Sequence, residues 1–224
     1  MNRPAYDGIA CFPDRKYALI LAPDMTQRHA GNIVRAANAF TALGYEPVEI
    51  IMPRGRDVMR ASAQEERGYD REFPRSRTNS IWHVQELIEK IAETFVPERD
   101  AFTLYVTGHG GSFPRTNEAG ISFPDGKLAA SNLAAVVNET LASPSGLVVC
   151  DQCHGHRFAE PFLWHAGMTG VTASEGDSWY ESFPAMFWQF LVLDRSITKA
   201  FANAYKQDLS RIDGRQRPQL LRPA

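Results

Sequence analysis

Short, nearly continuous apolar runs alternate with stretches of helical spacing along this chain, and no other feature restricts its fold as strongly. Tyr17-Ala-Leu-Ile-Leu-Ala22 is a first run, ended by Pro23 and Asp24. A run with no polar side chain to present to water fits a strand covered on both faces, as in a parallel sheet. Ile33, Ala36, Ala37 and Phe40 then recur at i, i+3, i+4 and i+7, one stripe of a helix that Gly44 stops. Residues 47–52 (PVEIIM), 101–106 (AFTLYV), 147–150 (LVVC) and 167–173 (GMTGVTA) predict four more strands. Helical spacing returns in Val84, Leu87, Ile88, Ile91 and Phe95, capped by Asn79 or Ser80. It returns again in Leu133, Val136, Val137 and Leu141 behind a Ser131 cap, over 184–192, and in Ile197, Ala200, Phe201, Ala204 and Tyr205. A hairpin is expected around Ile121–Lys127, and the tail 215–224 supplies an edge strand that tolerates its proline. The expectation is one α/β domain over residues 1–224, a mainly parallel sheet with helices on both faces.

One segment breaks the pattern. Pro53 to Asn79 holds seven arginines and five acids with almost no aliphatics, and reads as a charged, mobile loop at about 53–80. Loops of this length are uncommon unless they serve a function, so self-cleavage there, or docking of an activating partner, stands beside the plain reading of a solvated surface. Composition sets the other limits. With 44% hydrophobic and 22% charged residues the chain is globular, and a net charge of −2 argues against nucleic acid or an anionic membrane as its main partner. No apolar run approaches the roughly 18 residues of a membrane span. Three cysteines do not make a disulfide scaffold, and the first residues lack an apolar leader, so a reducing cytoplasm is the expected location.

Two polar clusters start where buried strands end: Thr107-Gly-His-Gly-Gly111 and Asp151-Gln-Cys-His-Gly-His156. In an open parallel sheet the carboxyl ends of the strands share one edge, where ligands bind. His109 and Cys153 are therefore expected to meet there. A thiol beside an imidazole becomes a thiolate nucleophile. Gly108, Gly110 and Gly111 let the backbone turn and approach a substrate, and the amides of Gly110 and Cys153 are candidates for holding an oxyanion. Cys150 completes the apolar run 147–150 and belongs to the core; Cys11 has no catalytic context. His29, His83 and His165 read as structural or surface residues, and Trp164, Trp179, Trp188 and the cluster Phe183–Phe190 as core or pocket wall.

A hydrophobic strand followed by TGHGG, then some forty residues later a second strand followed by Asp-x-Cys-x-Gly, resembles the legumain-type cysteine peptidases. YVTGHGG is similar to the GPI-anchor transamidase version, and DQCHG also to the metacaspases of the wider caspase-like clan. VTASEGDSWYESF (171–183) is similar to the legumain stretch that walls the specificity pocket, and QRHAGN (27–32) to a legumain Arg-His pair. The resemblance implies a caspase-like fold and a cysteine endopeptidase working through an acyl-enzyme, with Cys153 as nucleophile and His109 with Gly110 as proton partner and oxyanion contributor. It places Asp151 and Arg28 in the primary specificity pocket and Ser174 and Asp177 on its opposite wall. An acid at 151 suits Arg or Lys at P1, whereas Arg28 balancing it suits Asn or Asp, and both preferences stay open, as does transpeptidation. No cofactor and no metal is implied, and no acidic loop offers a calcium site. Two rivals use the same residues. Cys150-Asp-Gln-Cys-His154 matches the C-x-x-C-H of covalent haem attachment, and Cys150, Cys153, His154 and His156 form an incomplete zinc set. A catalytically silent caspase-like scaffold is the alternative from another class.

Overall fold

The run from Tyr17 to Ala22 is buried along its whole length in the computed structural model, which describes residues 13–23, 27–52, 76–77, 80–113, 116–176, 182–208 and 216–223, with the backbone alone for 27, 28, 76 and 77. It forms β1 (Lys16–Leu21), and its alternate residues face opposite ways. Tyr17, Leu19 and Leu21 join one apolar cluster, Ala18, Ile20 and Ala22 the other. Each fully covered Leu or Ile contributes roughly 1.5–3 kcal/mol relative to exposure, and only a two-sided sheet collects that from every residue of the run.

After β1 come α1 (Gln27–Ala42), β2 (Val48–Ile51), β3 (Ser76–Arg77), α2 (Ile81–Ala92) and β4 (Ala101–Gly108). A short β5 (Gly110–Ser112) leads through β6 (Ala119–Phe123) and β7 (Gly126–Ala129) to α3 (Ala130–Thr140) and β8 (Ser145–Gln152). The chain continues with α4 (Gly155–Ala166), β9 (Thr169–Thr172), α5 (Ser182–Asp194), α6 (Ile197–Gln207) and β10 (Gln219–Leu221). The main sheet has the order β10-β9-β8-β4-β1-β2-β3, parallel throughout except where β10 runs against β9. One cluster packs α2, α3 and α4 on one face; the other packs α1, α5 and α6 on the opposite face. The predicted architecture of a mostly parallel sheet between two helical layers is the one observed.

Several local expectations change. The segment 53–80 falls largely outside the described residues, but Ser76 and Arg77 pair in parallel with Ile50 and Ile51 as an edge strand. Ser80 caps α2, its Oγ accepting from the His83 amide at 3.3 Å. Ser131 does not cap α3. Strand β7 runs straight into that helix, so Ala129 is the cap, and the exposed donor on Ser131 N is taken by Glu118 Oε1 at 3.1 Å. The hairpin expected around residues 121–127 is β6–β7, and β5 adds a third antiparallel strand beside it. Helix α4 has no counterpart in the sequence reading, although Phe158, Phe162 and Ala166 form its buried stripe.

The change that matters for function is strand length. Strands β4 and β8 do not stop where their apolar runs stop. They stay paired for two further residues, Thr107 opposite Asp151 and Gly108 opposite Gln152, so both polar motifs leave the sheet at the same level.

Candidate active site

Register brings the two motifs together. One step beyond the Gly108–Gln152 pair the next residues are His109 and Cys153, at the carboxyl ends of adjacent parallel strands. Gly108 has a φ of +136°, a backbone state that side chains disfavour, and this releases the chain from β4 toward β5. Gly110 then passes against β8 so closely that a Cβ there would lie 2.2 Å from the Cys153 carbonyl oxygen and 3.1 Å from Gln152 Cβ. His109 itself is exposed at the rim. Its ring meets the buried ring of His29 edge-on, with centroids 5.6 Å apart. The first turns of α1 therefore border the site.

The two described cysteines differ as sequence position predicts. Cys150 is fully buried within β8, and burial, with the Asp151 charge next, pushes its thiol far above the ordinary range. Cys153 is half-buried in the turn between β8 and α4, just ahead of the N-terminus of that helix. His154 occupies a left-handed conformation (φ 58°) at the helix cap. Its amide donates to the Gly176 carbonyl at 2.6 Å, and the His156 amide donates to the Ser174 carbonyl at 3.2 Å. These flanking histidines thus tie the start of α4 to the segment after β9, and His156 Nε2 lies 3.7 Å from Glu160 Oε1 on the same helix. Because Cys150 lies within the β8 ladder and Cys153 beyond it, the C-x-x-C-H segment does not present two accessible thiols, as covalent haem attachment would require. No group of three metal-ligating side chains occurs among the described residues.

Asp151 is wholly buried. Its Oδ2 accepts from Asn32 Nδ2 at 2.5 Å, Thr107 Oγ1 at 3.3 Å and the Tyr105 hydroxyl at 3.4 Å. Burial first, then the Asp151 charge, holds the Tyr105 hydroxyl well above its usual range, so it remains a proton donor. Ser174 is buried beside α4. Arg28 lies in the first turn of α1, one residue before His29, with its side chain outside the described residues; Asp177 lies outside them altogether. The sequence reading missed Asn32, Tyr105 and Thr107. The register of β4 against β8 is the signal that would have found Thr107; nothing in the local pattern marks Asn32.

No helix among the described residues is long and apolar enough to cross a membrane. The sequence matches no protein-family model and no curated protein. Solved structures do resemble it. Protein GSU0716 from Geobacter sulfurreducens superposes with a TM-score of 0.57 at 16% identity, covering 92% of each chain. Caspase-1 from Spodoptera frugiperda superposes with a TM-score of 0.58 at 12% identity, over 100% of this chain and 92% of its own. At such identities the likeness speaks for the fold alone, and with the sheet order and the two helical layers it makes this chain an α/β protein of caspase-like fold.

Proposed function

We propose that the protein is a cysteine endopeptidase of the legumain and caspase kind, with Cys153 as nucleophile and His109 as its proton partner. The observation that carries the reading is the close passage of Gly110 over the Cys153 carbonyl at the ends of two strands in register. In the reaction, the Cys153 thiol passes its proton to His109 and the sulfur adds to the scissile carbonyl. The backbone amides of Gly110 and Cys153 hold the resulting oxyanion. His109 returns the proton to the departing amine, leaving a thioester; water, deprotonated by His109, then releases the acid and regenerates the thiol. An amine in place of water makes the same thioester a route to transpeptidation.

Specificity resides in the proposed pocket of Asp151, Arg28, Ser174 and Asp177. A fluorogenic peptide library varied at P1 tests the whole reading. Turnover concentrated after Arg or Lys assigns the dominant pocket charge to Asp151, and Asp151→Ala then raises KM by about tenfold or more, as loss of a charged contact does. Turnover after Asn or Asp assigns that role to Arg28. A wild-type protein that cleaves nothing in the library and reacts with no peptidyl electrophile removes the peptidase reading and leaves the scaffold.

A further inference from the structure

Asn32 belongs to neither motif, yet it is fully buried beneath both. It stands on α1 and reaches Asp151 across 119 residues of sequence, at 2.5 Å. Arg35, one turn further along the helix, donates from Nη1 to Asn32 Oδ1 at 3.2 Å and so fixes which end of the carboxamide faces the acid. On the other side Tyr105 and Thr107, both on β4, donate to the same carboxylate oxygen. The carboxylate is therefore a hub for three elements. Each of these carries one of the residues around the site: α1 has His29, β4 leads to His109, and β8 leads to Cys153.

We propose that Asn32 is a positioning residue for Cys153, whose bond to Asp151 holds the end of β8 in register with α1 and the His109 turn. The proposal rests on the peptidase reading for its kinetics, though not for its chemistry. With an acid at position 151 a carboxamide suits position 32, because it donates to the acid through Nδ2 while its Oδ1 accepts from Arg35. Without it the buried Asp151 carboxylate loses a donor held at 2.5 Å, and a buried acceptor deprived of a donor shifts its surroundings. A displacement of about 1 Å at a reacting group costs about a hundredfold in rate. The charge at position 151 is kept in Asn32→Ala, so the proposed pocket contact persists and the loss falls mainly on kcat.

The test compares wild type, Asn32→Ala, Asp151→Asn and the exchange Asn32→Asp with Asp151→Asn together. The exchange restores the bond with its polarity reversed and sets the carboxylate beside Arg35, but removes the charge from position 151. Two readouts are taken on each folded variant: kcat and KM on the best library peptide, and the rate at which iodoacetamide alkylates Cys153, located by peptide mapping. Asn32→Ala is expected to lose between about tenfold and a hundredfold in kcat, with KM within about twofold and slower alkylation of Cys153. The exchange is expected to regain most of the kcat that Asp151→Asn loses, whatever happens to KM. A folded Asn32→Ala with wild-type kcat and wild-type alkylation overturns the proposal, as does an exchange no better than Asp151→Asn. If Asn32→Ala does not fold, the near-isosteric exchange decides. If the wild type cleaves no peptide, the peptidase reading falls by itself. The alkylation rates alone then decide about Asn32, slower in Asn32→Ala supporting it and equal rates overturning it.

Discussion

Cys153→Ala is expected to abolish peptide turnover and His109→Ala to reduce it by about 10²- to 10⁴-fold, the range that a positioned proton-transfer group supplies. Cys150→Ala should keep kcat and KM near wild type. The three substitutions separate chemistry from packing within one short segment. In the proposed reaction Cys153 supplies the sulfur of the thioester, and Cys150 does not replace it, being sealed in the β8 ladder with its thiol held protonated. Removing the His109 ring takes away the proposed proton acceptor for the thiol and the proposed donor to the leaving amine. Cys150→Ala takes a small buried group from the core and costs about 1 kcal/mol of stability, which appears as a lower melting temperature and not as a loss of rate. Steady-state kinetics on the best library peptide, with circular dichroism of each variant, checks all three. Equal loss in Cys150→Ala and Cys153→Ala would mean that the segment supports the fold and not the reaction.

Gly110→Ala is expected to cost activity almost as heavily, by about a hundredfold or more, for a reason unrelated to charge. The added methyl would sit 2.2 Å from a backbone carbonyl, and that oxygen belongs to Cys153 itself. No side chain can rotate away to relieve the contact. Either the His109–Gly110 turn lifts away from β8 or the Cys153 peptide moves, and both outcomes separate the thiol from its partner and disturb the amides proposed to hold the oxyanion. Overpacking of this kind costs about 1–3 kcal/mol in stability. Its neighbour gives the contrast. Among the described residues a Cβ on Gly111 would meet the end of the Lys127 side chain alone, at 3.4 Å, so Gly111→Ala should leave the melting temperature almost unchanged. Thermal denaturation of both variants together with kcat/KM for Gly110→Ala checks the difference; an active Gly110→Ala enzyme would remove the close passage from the account.

The core strands were legible because their runs are apolar on both faces and short, and Pro23 and Asp24 end the run Tyr17 to Ala22 before it reaches the length of a buried helix. Their ends were not. Thr107, Asp151 and Gln152 are polar, so periodicity stops before them, whereas the ladder continues because each has a paired backbone neighbour and Asp151 has donors waiting for it. Asn32 was hidden by a similar effect. Beside the stripe of Ile33, Ala36, Ala37 and Phe40 it reads as the polar edge of an amphipathic helix, but α1 is covered by the sheet on one side and α5 on another, and the polar edge is buried too. Helix α4 escaped notice because it opens on the residues with the most chemical meaning and carries Pro161 in its interior. His109, Gly110 and Cys153 stood out as candidates for the opposite reason: glycines and a thiol just beyond a buried strand have little packing value.

The central claim, that Cys153 is a nucleophile made reactive by its place beside His109, is tested most directly by covalent labelling. Wild type and His109→Ala are treated at neutral pH with a peptidyl acyloxymethyl ketone bearing the P1 residue that the library selects, and the adduct is mapped by mass spectrometry. A single adduct on Cys153, none on Cys150, and labelling of His109→Ala slower by about a hundredfold is the predicted result. Modification elsewhere, or labelling of Cys153 at the same rate with and without His109, would contradict it.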